Sequence, residues 1–438
     1  MRTIRTLPWL TVAISCLFGP ASADELADAR ATDPIALQWM VGNPPPPDKI
    51  LRYEDGSFYA FPQRRWSLSH WREFVPTINV ERGGTPTRSL ARAERSDLDA
   101  VTFMPIGGTQ PMTWADSLVA NYTDGIVILH RGRIVYERYF GALSAERPHI
   151  AFSVTKSFFG TLAAMLIAEG KLDPHAPVAR YIPELAASGF GDATVQQVLD
   201  MTTAIDFTEN YLGESPSMLA YRNATGFSPS PAGYGGPRTI YSFLPTIAKN
   251  GEHGHAFKYR TPNVDVASWL IARVTARNPA AVLSERIWSR LGAEDDAFLQ
   301  IDKQGVPLTG STLNARLRDF ARFGELMRLN GRVDGKQIIP AAVVEDIRRG
   351  ASPEAFKKAQ YATLPGWSYH DFWWVSHDDH GVFMARGIHG QAIYVDPKAE
   401  MVIARFASNP IAGNAGIDPK SLPAYRAIAE KLMEKARP

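Results

Sequence analysis

Ser153 and Lys156 lie three residues apart in Ser153-Val154-Thr155-Lys156, the one S-x-x-K in the chain. Residues i and i+3 share a helix face. A helix starting here therefore sets a hydroxyl beside an ammonium, at the positive end of the helix dipole. A serine hydroxyl is a weak nucleophile until a neighbour takes its proton. A lysine one turn on is such a neighbour, or supports another base. Tyr259-Arg260-Thr261-Pro262-Asn263 offers that second base. A phenolate held near a lysine is stabilised, so the pKa of Tyr259 is expected to fall. The third need is an oxyanion hole. Ala385-Arg386-Gly387-Ile388-His389-Gly390-Gln391 falls between two apolar runs, and its glycines permit close approach of backbone to ligand. There is no G-x-S-x-G, so the elbow of the α/β-hydrolases is absent.

These residues need elements to hold them. Phe158, Phe159, Leu162, Met165 and Leu166 recur at helical spacing, predicting an amphipathic helix over 157–169 behind Ser153. Asn263 is placed to cap a helix from Val264 to Ala276. Further helices are expected at 194–201, 279–291, 314–329 and 422–436. Ile126–Leu129 and Ile134–Tyr136, joined by Arg131-Gly132-Arg133, read as a β-hairpin. Short apolar runs at 366–376, 382–386, 391–395 and 401–406 read as an antiparallel meander. Residues 206–254, rich in Gly, Pro, Ser and Tyr, read as long loops walling a cleft. Within them Asp206, Glu209 and Tyr211 either face that cleft or cap turns. The Trp373-Trp374 pair reads as core.

The chain has 438 residues, 45% hydrophobic and 21% charged, with 47 basic and 45 acidic residues. That suits a globular enzyme with two subdomains and gives no reason to expect a nucleic-acid partner. Arg2 and Arg5, the apolar run Leu7–Phe18 and Ala21-Ser22-Ala23 read as a secretory signal peptide cleaved after Ala23. The expected location is the periplasm or the medium, with no membrane span in the mature protein. The single cysteine, Cys16, lies inside that peptide, so no disulfide and no thiol nucleophile remain. His253-x-His255 and His377-Asp378-Asp379-His380 contain metal-ligand types, but there is no H-E-x-x-H and the spacings fit no zinc signature. No metal or cofactor is expected.

Taken together and in this order, the motifs resemble those of the serine β-lactamase and penicillin-binding protein superfamily, which carries S-x-x-K, then Y-x-[NS], then K-T-G. Thr261 stands where Asn or Ser is usual. Of K-T-G only Gly387 matches, in Ala385-Arg386-Gly387; a second alignment uses His389-Gly390. Tyr259 to Asp265 (Y-x-T-x-N-x-D), Gly387 to Gln391 (G-I-x-G-Q) and Met201 to Phe207 look most like the branch of 6-aminohexanoate-dimer hydrolase and related esterases. The resemblance implies an α+β, β-lactamase-like fold: an antiparallel sheet flanked by helices, with a mainly helical subdomain inserted. Residues 24–110 would be an extension packed on the main domain, 111–190 and 300–438 the sheet domain, and 191–299 the helical and loop subdomain. It implies Ser153 as nucleophile, with Lys156 and Tyr259 sharing base and acid duty. The N–H groups of Ser153 and Ile388 would form the oxyanion hole, and Thr261, Arg386, Gly387, His389 and Gln391 would meet a small amide or ester substrate. Loss of the K-T-G lysine argues against strong β-lactamase or D,D-peptidase activity, unless Arg386 supplies the charge. The alternatives are a carboxylesterase, a weak β-lactamase or D,D-peptidase and, in another class, an inactive cell-wall peptide-binding protein.

Overall fold

The computed structural model describes residues 28–211 and 215–434. The expected signal peptide, residues 1–23, and its expected cleavage site lie outside them. The central sheet has seven antiparallel strands: β1 Thr123–His130, β2 Arg133–Tyr139, β3 Ser368–His370, β4 Trp373–Val375, β5 Phe383–Gly387, β6 Gln391–Asp396 and β7 Met401–Ala407. Their order is β3-β4-β5-β6-β7-β1-β2. Pairing of β7 with β1 joins the two parts of the chain that flank the inserted helices. The β1–β2 turn carries Arg131 (φ 52°) and Gly132 (φ 73°), as a two-residue hairpin with right-handed strand twist demands.

Both faces of the sheet are covered, which is why its middle strands are apolar without alternation. Ile393 and Val402 face the helix α3 (Leu317–Arg328), where Gly324 leaves room for their methyls. On the other face Tyr394 and Arg405 meet Tyr425 of α4 (Asp418–Met433).

The helix behind Ser153, α1 (Val154–Ala168), is buried on every side from Val154 to Leu166 rather than on one face. An element wholly inside a core needs no polar face. Its polar residues are spent internally. Ser157 Oγ donates to the Phe372 carbonyl at 2.7 Å, and Thr161 Oγ1 accepts from Trp373 Nε1 at 3.0 Å. Gly160 is required: a Cβ there would sit 2.0 Å from the Asp371 carbonyl oxygen.

Several boundaries differ from the sequence expectation. The run 366–376 is two strands, reversed at Asp371 (φ 47°) and Phe372 (φ 61°). Asn314–Ala315 is a strand, not the start of α3. It lies in a second antiparallel sheet with Thr77–Val80, Ala297–Gln300 and His149–Ile150. The segment 206–254 contains a helix, Pro216–Thr225, capped by Ser215 Oγ and ended by Gly226 (φ 65°). Asn263 does not cap α2 (Pro262–Thr275); it is buried in the first turn, donating to Arg260 O at 2.9 Å and accepting from Thr203 Oγ1 at 2.7 Å.

The aromatics of the N-terminal extension form a second core. Phe58, Trp71 and Val75 pack with Ile150 and Phe152, immediately ahead of Ser153. Phe152 has φ 44°, a conformation that costs about 1 kcal/mol or more for a residue with a side chain. Packing against Tyr59, Trp71 and His389 holds it there.

Candidate active site

Ser153 stands at the N-terminus of α1, delivered there by the short strand His149–Ile150. Lys156 Nζ donates to Ser153 Oγ at 3.1 Å and also to the Gly310 carbonyl. Lys156 is fully buried, and burial lowers its pKa to about 8 against the pull of Glu209 and Asp265. Asp265 lies in the same buried cluster. Tyr221 donates to its Oδ2 at 2.7 Å, its Oδ1 has no partner, and burial raises its pKa.

Tyr259 adjoins both residues: it lines the larger cavity with Ser153, and the Lys156 Nζ is 5.3 Å from its ring centroid. Its pKa is raised well above that of a free phenol, first by burial, then by Glu209, with Ser153 opposing. This reverses the expected fall: desolvation of a buried phenolate outweighs any help from the lysine. The resting site therefore holds a neutral phenol. Lys156 is the group nearer to accepting a proton.

Gly387 ends β5 against Ser153. A Cβ on it would lie 3.0 Å from Ser153 N and 2.6 Å from the Ala151 carbonyl oxygen. Ile388 follows and lines the cavities on both sides of Ser153. One, of about 240 Å³, is also bounded by Glu209, Tyr259, Trp374 and Arg386. The other, of about 60 Å³, is walled by Tyr59, Phe152, Met218 and Phe227.

The remaining expected site residues divide. Thr261 faces the smaller cavity, and its Oγ1 donates to Glu209 Oε1 at 2.7 Å. Arg386 faces the larger one, but its charge is taken: it is paired with Asp418 and stacked 4.9 Å from the Trp374 ring centroid. His389 points away from both cavities. Its ring is buried between Tyr59, Arg64 and the Asn409 carbonyl. Gln391 is also internal, donating to the carbonyls of Ile388 and Ala407. Neither side chain reaches a substrate, because each completes the backbone hydrogen bonds of the turn.

Three cavity residues were not assigned from sequence. Glu209 accepts from Tyr211 and from both the N–H and Oγ1 of Thr261, while Asp206 is exposed. Trp373 and Trp374 are both buried in the core, as read, and Trp374 also stacks on Tyr259 at the cavity wall. Asp418 neutralises Arg386. Glu209 and Tyr211 sit in aperiodic chain, where no spacing rule applies. Trp374 belongs to a strand whose two faces differ.

The histidine clusters are dispersed. His253 contacts Asp192, His255 contacts Glu252, His377 contacts Ser368, and His380 contacts Asp396. Among the described residues, Asp200, His370 and Asp371 bring three potential metal-ligand atoms together. Both ring nitrogens of His370 are already engaged, with Asp200 at 2.8 Å and Asp346 at 3.1 Å, so the group is satisfied as an ion-pair network. No helix among the described residues is long and apolar enough to cross a membrane.

Residues 115–418, which hold this site and the central sheet, match the family model of the beta-lactamases. The chain belongs to the beta-lactamase family. It is a hydrolase of that fold related to 6-aminohexanoate-dimer hydrolase: it is 31% identical over 357 residues to the enzyme of that name from Paenarthrobacter ureafaciens, covering 81% of this chain and 88% of the relative. A solved structure from Bacillus anthracis, provisionally described as a 6-aminohexanoate-dimer hydrolase, superposes with a TM-score of 0.79 at 31% identity. It covers 90% of this chain and all of its own. A family VIII carboxylesterase shares the fold alone, with a TM-score of 0.54 at 17% identity, covering 78% of this chain and 99% of its own.

Proposed function

We propose that the protein is an exported serine hydrolase that cleaves an amide or ester bond through an acyl-Ser153 intermediate. The observation that carries this reading is the 3.1 Å contact between the Ser153 hydroxyl and a fully buried lysine of lowered pKa. In its neutral form Lys156 accepts the hydroxyl proton as Ser153 Oγ attacks the substrate carbonyl. The oxyanion forms against the N–H groups of Ser153 and Ile388, and Tyr259, a neutral phenol, passes a proton to the departing amine or alcohol. Water then takes the place of the leaving group and releases the acid, with proton transfers reversed.

Kinship with 6-aminohexanoate-dimer hydrolase favours a linear amide as substrate. A carboxylesterase is the second reading, favoured by the small, largely apolar cavity beside Ser153. A β-lactam is the least favoured of the three, since the Arg386 charge is already paired with Asp418. Export rests on the basic, apolar and A-x-A succession of residues 1–23.

Intact-protein and peptide mass spectrometry after reaction with a slow p-nitrophenyl ester tests the chemistry. The acyl group is expected on Ser153 and is lost in Ser153→Ala. An adduct on another residue, or turnover that survives Ser153→Ala, overturns it. A panel of esters, linear amides and β-lactams then ranks the substrates.

A further inference from the structure

The N-terminal extension reaches the reaction centre through Tyr59, part of the turn Ser57–Tyr59. Its hydroxyl lies 2.9 Å from His389 Nε2. The other ring nitrogen, Nδ1, is 2.7 Å from the Asn409 carbonyl, which can only accept, so Nδ1 carries the hydrogen and Nε2 the lone pair. Tyr59 therefore donates to Nε2, sharing its lone pair with Arg64 Nη1 at 3.0 Å. Burial, with Arg64 alongside, keeps this imidazole neutral.

His389 has φ 61°, a left-handed conformation that a side-chain-bearing residue adopts only when its surroundings impose it. Its N–H goes to the Ala412 carbonyl at 3.0 Å, and its carbonyl accepts from Asn409 at 3.2 Å. The preceding carbonyl, that of Ile388, is tied to Gln391 Nε2 at 3.1 Å. On the other side Gly387, whose peptide plane carries the Ile388 N–H, is paired with Gln391 at the end of β5, so Ile388 stands between two anchored residues. The same Tyr59 ring packs edge-on to Phe152, 6.2 Å between centroids, which precedes Ser153. One side chain thus braces the neighbours of both backbone donors.

We propose that Tyr59, through its hydrogen bond to His389, is a positioning residue that aims the oxyanion-hole N–H of Ile388, so that the N-terminal extension is part of the catalytic apparatus. The inference rests on the assignment of Ser153 and Ile388 to that hole. Tyr59→Phe keeps the ring and removes the donor. His389→Asn keeps a residue that tolerates positive φ and shortens the link.

The test compares kcat/KM for an ester and for its thionoester, in which C=S replaces C=O. Sulfur accepts hydrogen bonds weakly, so a well-aimed hole favours the ester, and a displaced hole erodes that preference. Both variants are expected to lower kcat on the ester about 10-fold, a fraction of what removing a donor outright costs. KM should stay within about two-fold, and the ester-to-thionoester ratio should fall several-fold. Loss of both activities in proportion, or an unchanged ratio, overturns the proposal, since a structural role alone cannot tell oxygen from sulfur. Absence of the Ser153 adduct in the wild type would instead overturn the assignment on which the proposal rests.

Discussion

Gly387 abuts Ser153: a methyl on its Cα would lie 3.0 Å from the serine nitrogen and 2.6 Å from the Ala151 carbonyl oxygen. Backbone is on both sides, so neither contact can relax by a side-chain swing. Gly387→Ala should push β5 away from α1 and open the oxyanion hole. The expected loss in kcat/KM is about 10² or more, the scale of losing one donor. Overpacking should cost about 1–3 kcal/mol in stability. Steady-state kinetics with a denaturant melt read the two separately, and full activity would show that this approach is not needed.

Lys156 titrates with a pKa near 8 because burial disfavours its charge. In the proposed mechanism its active form is the neutral amine, so kcat/KM should rise with pH and level off above about 8. Asp265 and Glu209 raise that pKa. Removing the charge in Asp265→Asn should therefore move the rising limb to lower pH. A pH–rate profile checks the sign, and movement to higher pH would show that the lysine does not control the limb. Lys156→Ala should cost about 10² or more at every pH.

Tyr259 is held neutral by burial and by the nearby Glu209, which suits it to give a proton to a leaving group rather than to start the attack. Tyr259→Phe should slow release of a basic amine far more than that of p-nitrophenolate, which needs no proton. An amide-to-ester comparison reads this directly, with about 10² expected on the amide. Equal losses on both would place the phenol in the attack step.

The nucleophile helix, the hairpin, the final meander and the order of the motifs were all legible in the sequence, because each depends on local periodicity or on a short fixed spacing. What was not legible depends on contacts between distant segments. The reversal at Asp371-Phe372 serves Gly160, more than two hundred residues earlier. Glu209 acquires its place from Thr261 and Tyr211. The direction of the Tyr259 shift turned on the packing of distant residues such as Glu209 and Trp374 around a half-buried ring, which no neighbour in sequence reveals. His389 and Gln391 sit in the right motif, yet their side chains turn inward to hold the loop that presents Ile388.

Arg386 could anchor a substrate carboxylate only if its charge were free, and Asp418 occupies it. Asp418 also accepts from Thr363 Oγ1 at 2.8 Å, which fixes the carboxylate in place. Asp418→Asn should release the guanidinium toward the larger cavity, and KM for carboxylate-bearing substrates, benzylpenicillin included, should fall several-fold relative to their neutral methyl esters. An unchanged ratio between acid and ester would mean that Arg386 does not reach the substrate.

His370 supplies a test of stability away from the nucleophile. It is buried on β3 with one ring nitrogen 2.8 Å from Asp200 and the other 3.1 Å from Asp346. Asp371 and Asp200 together overcome the cost of burial and raise its pKa from 6.5 to about 9. Because the folded value lies above the unfolded one, the folded state binds the proton more tightly. The stabilisation is fully present below pH 6.5 and disappears as the pH rises through about 9. His370→Gln removes that charge and leaves the buried Asp371 carboxylate beside that of Asp200 with no cation between them, a change on the order of 1–3 kcal/mol. At pH 6 the variant should melt several degrees below the wild type, while at pH 10, where the wild-type imidazole is itself neutral, the gap should largely close. Thermal melts of both proteins across this range decide it, and a gap of constant size would show that His370 acts by packing rather than by charge.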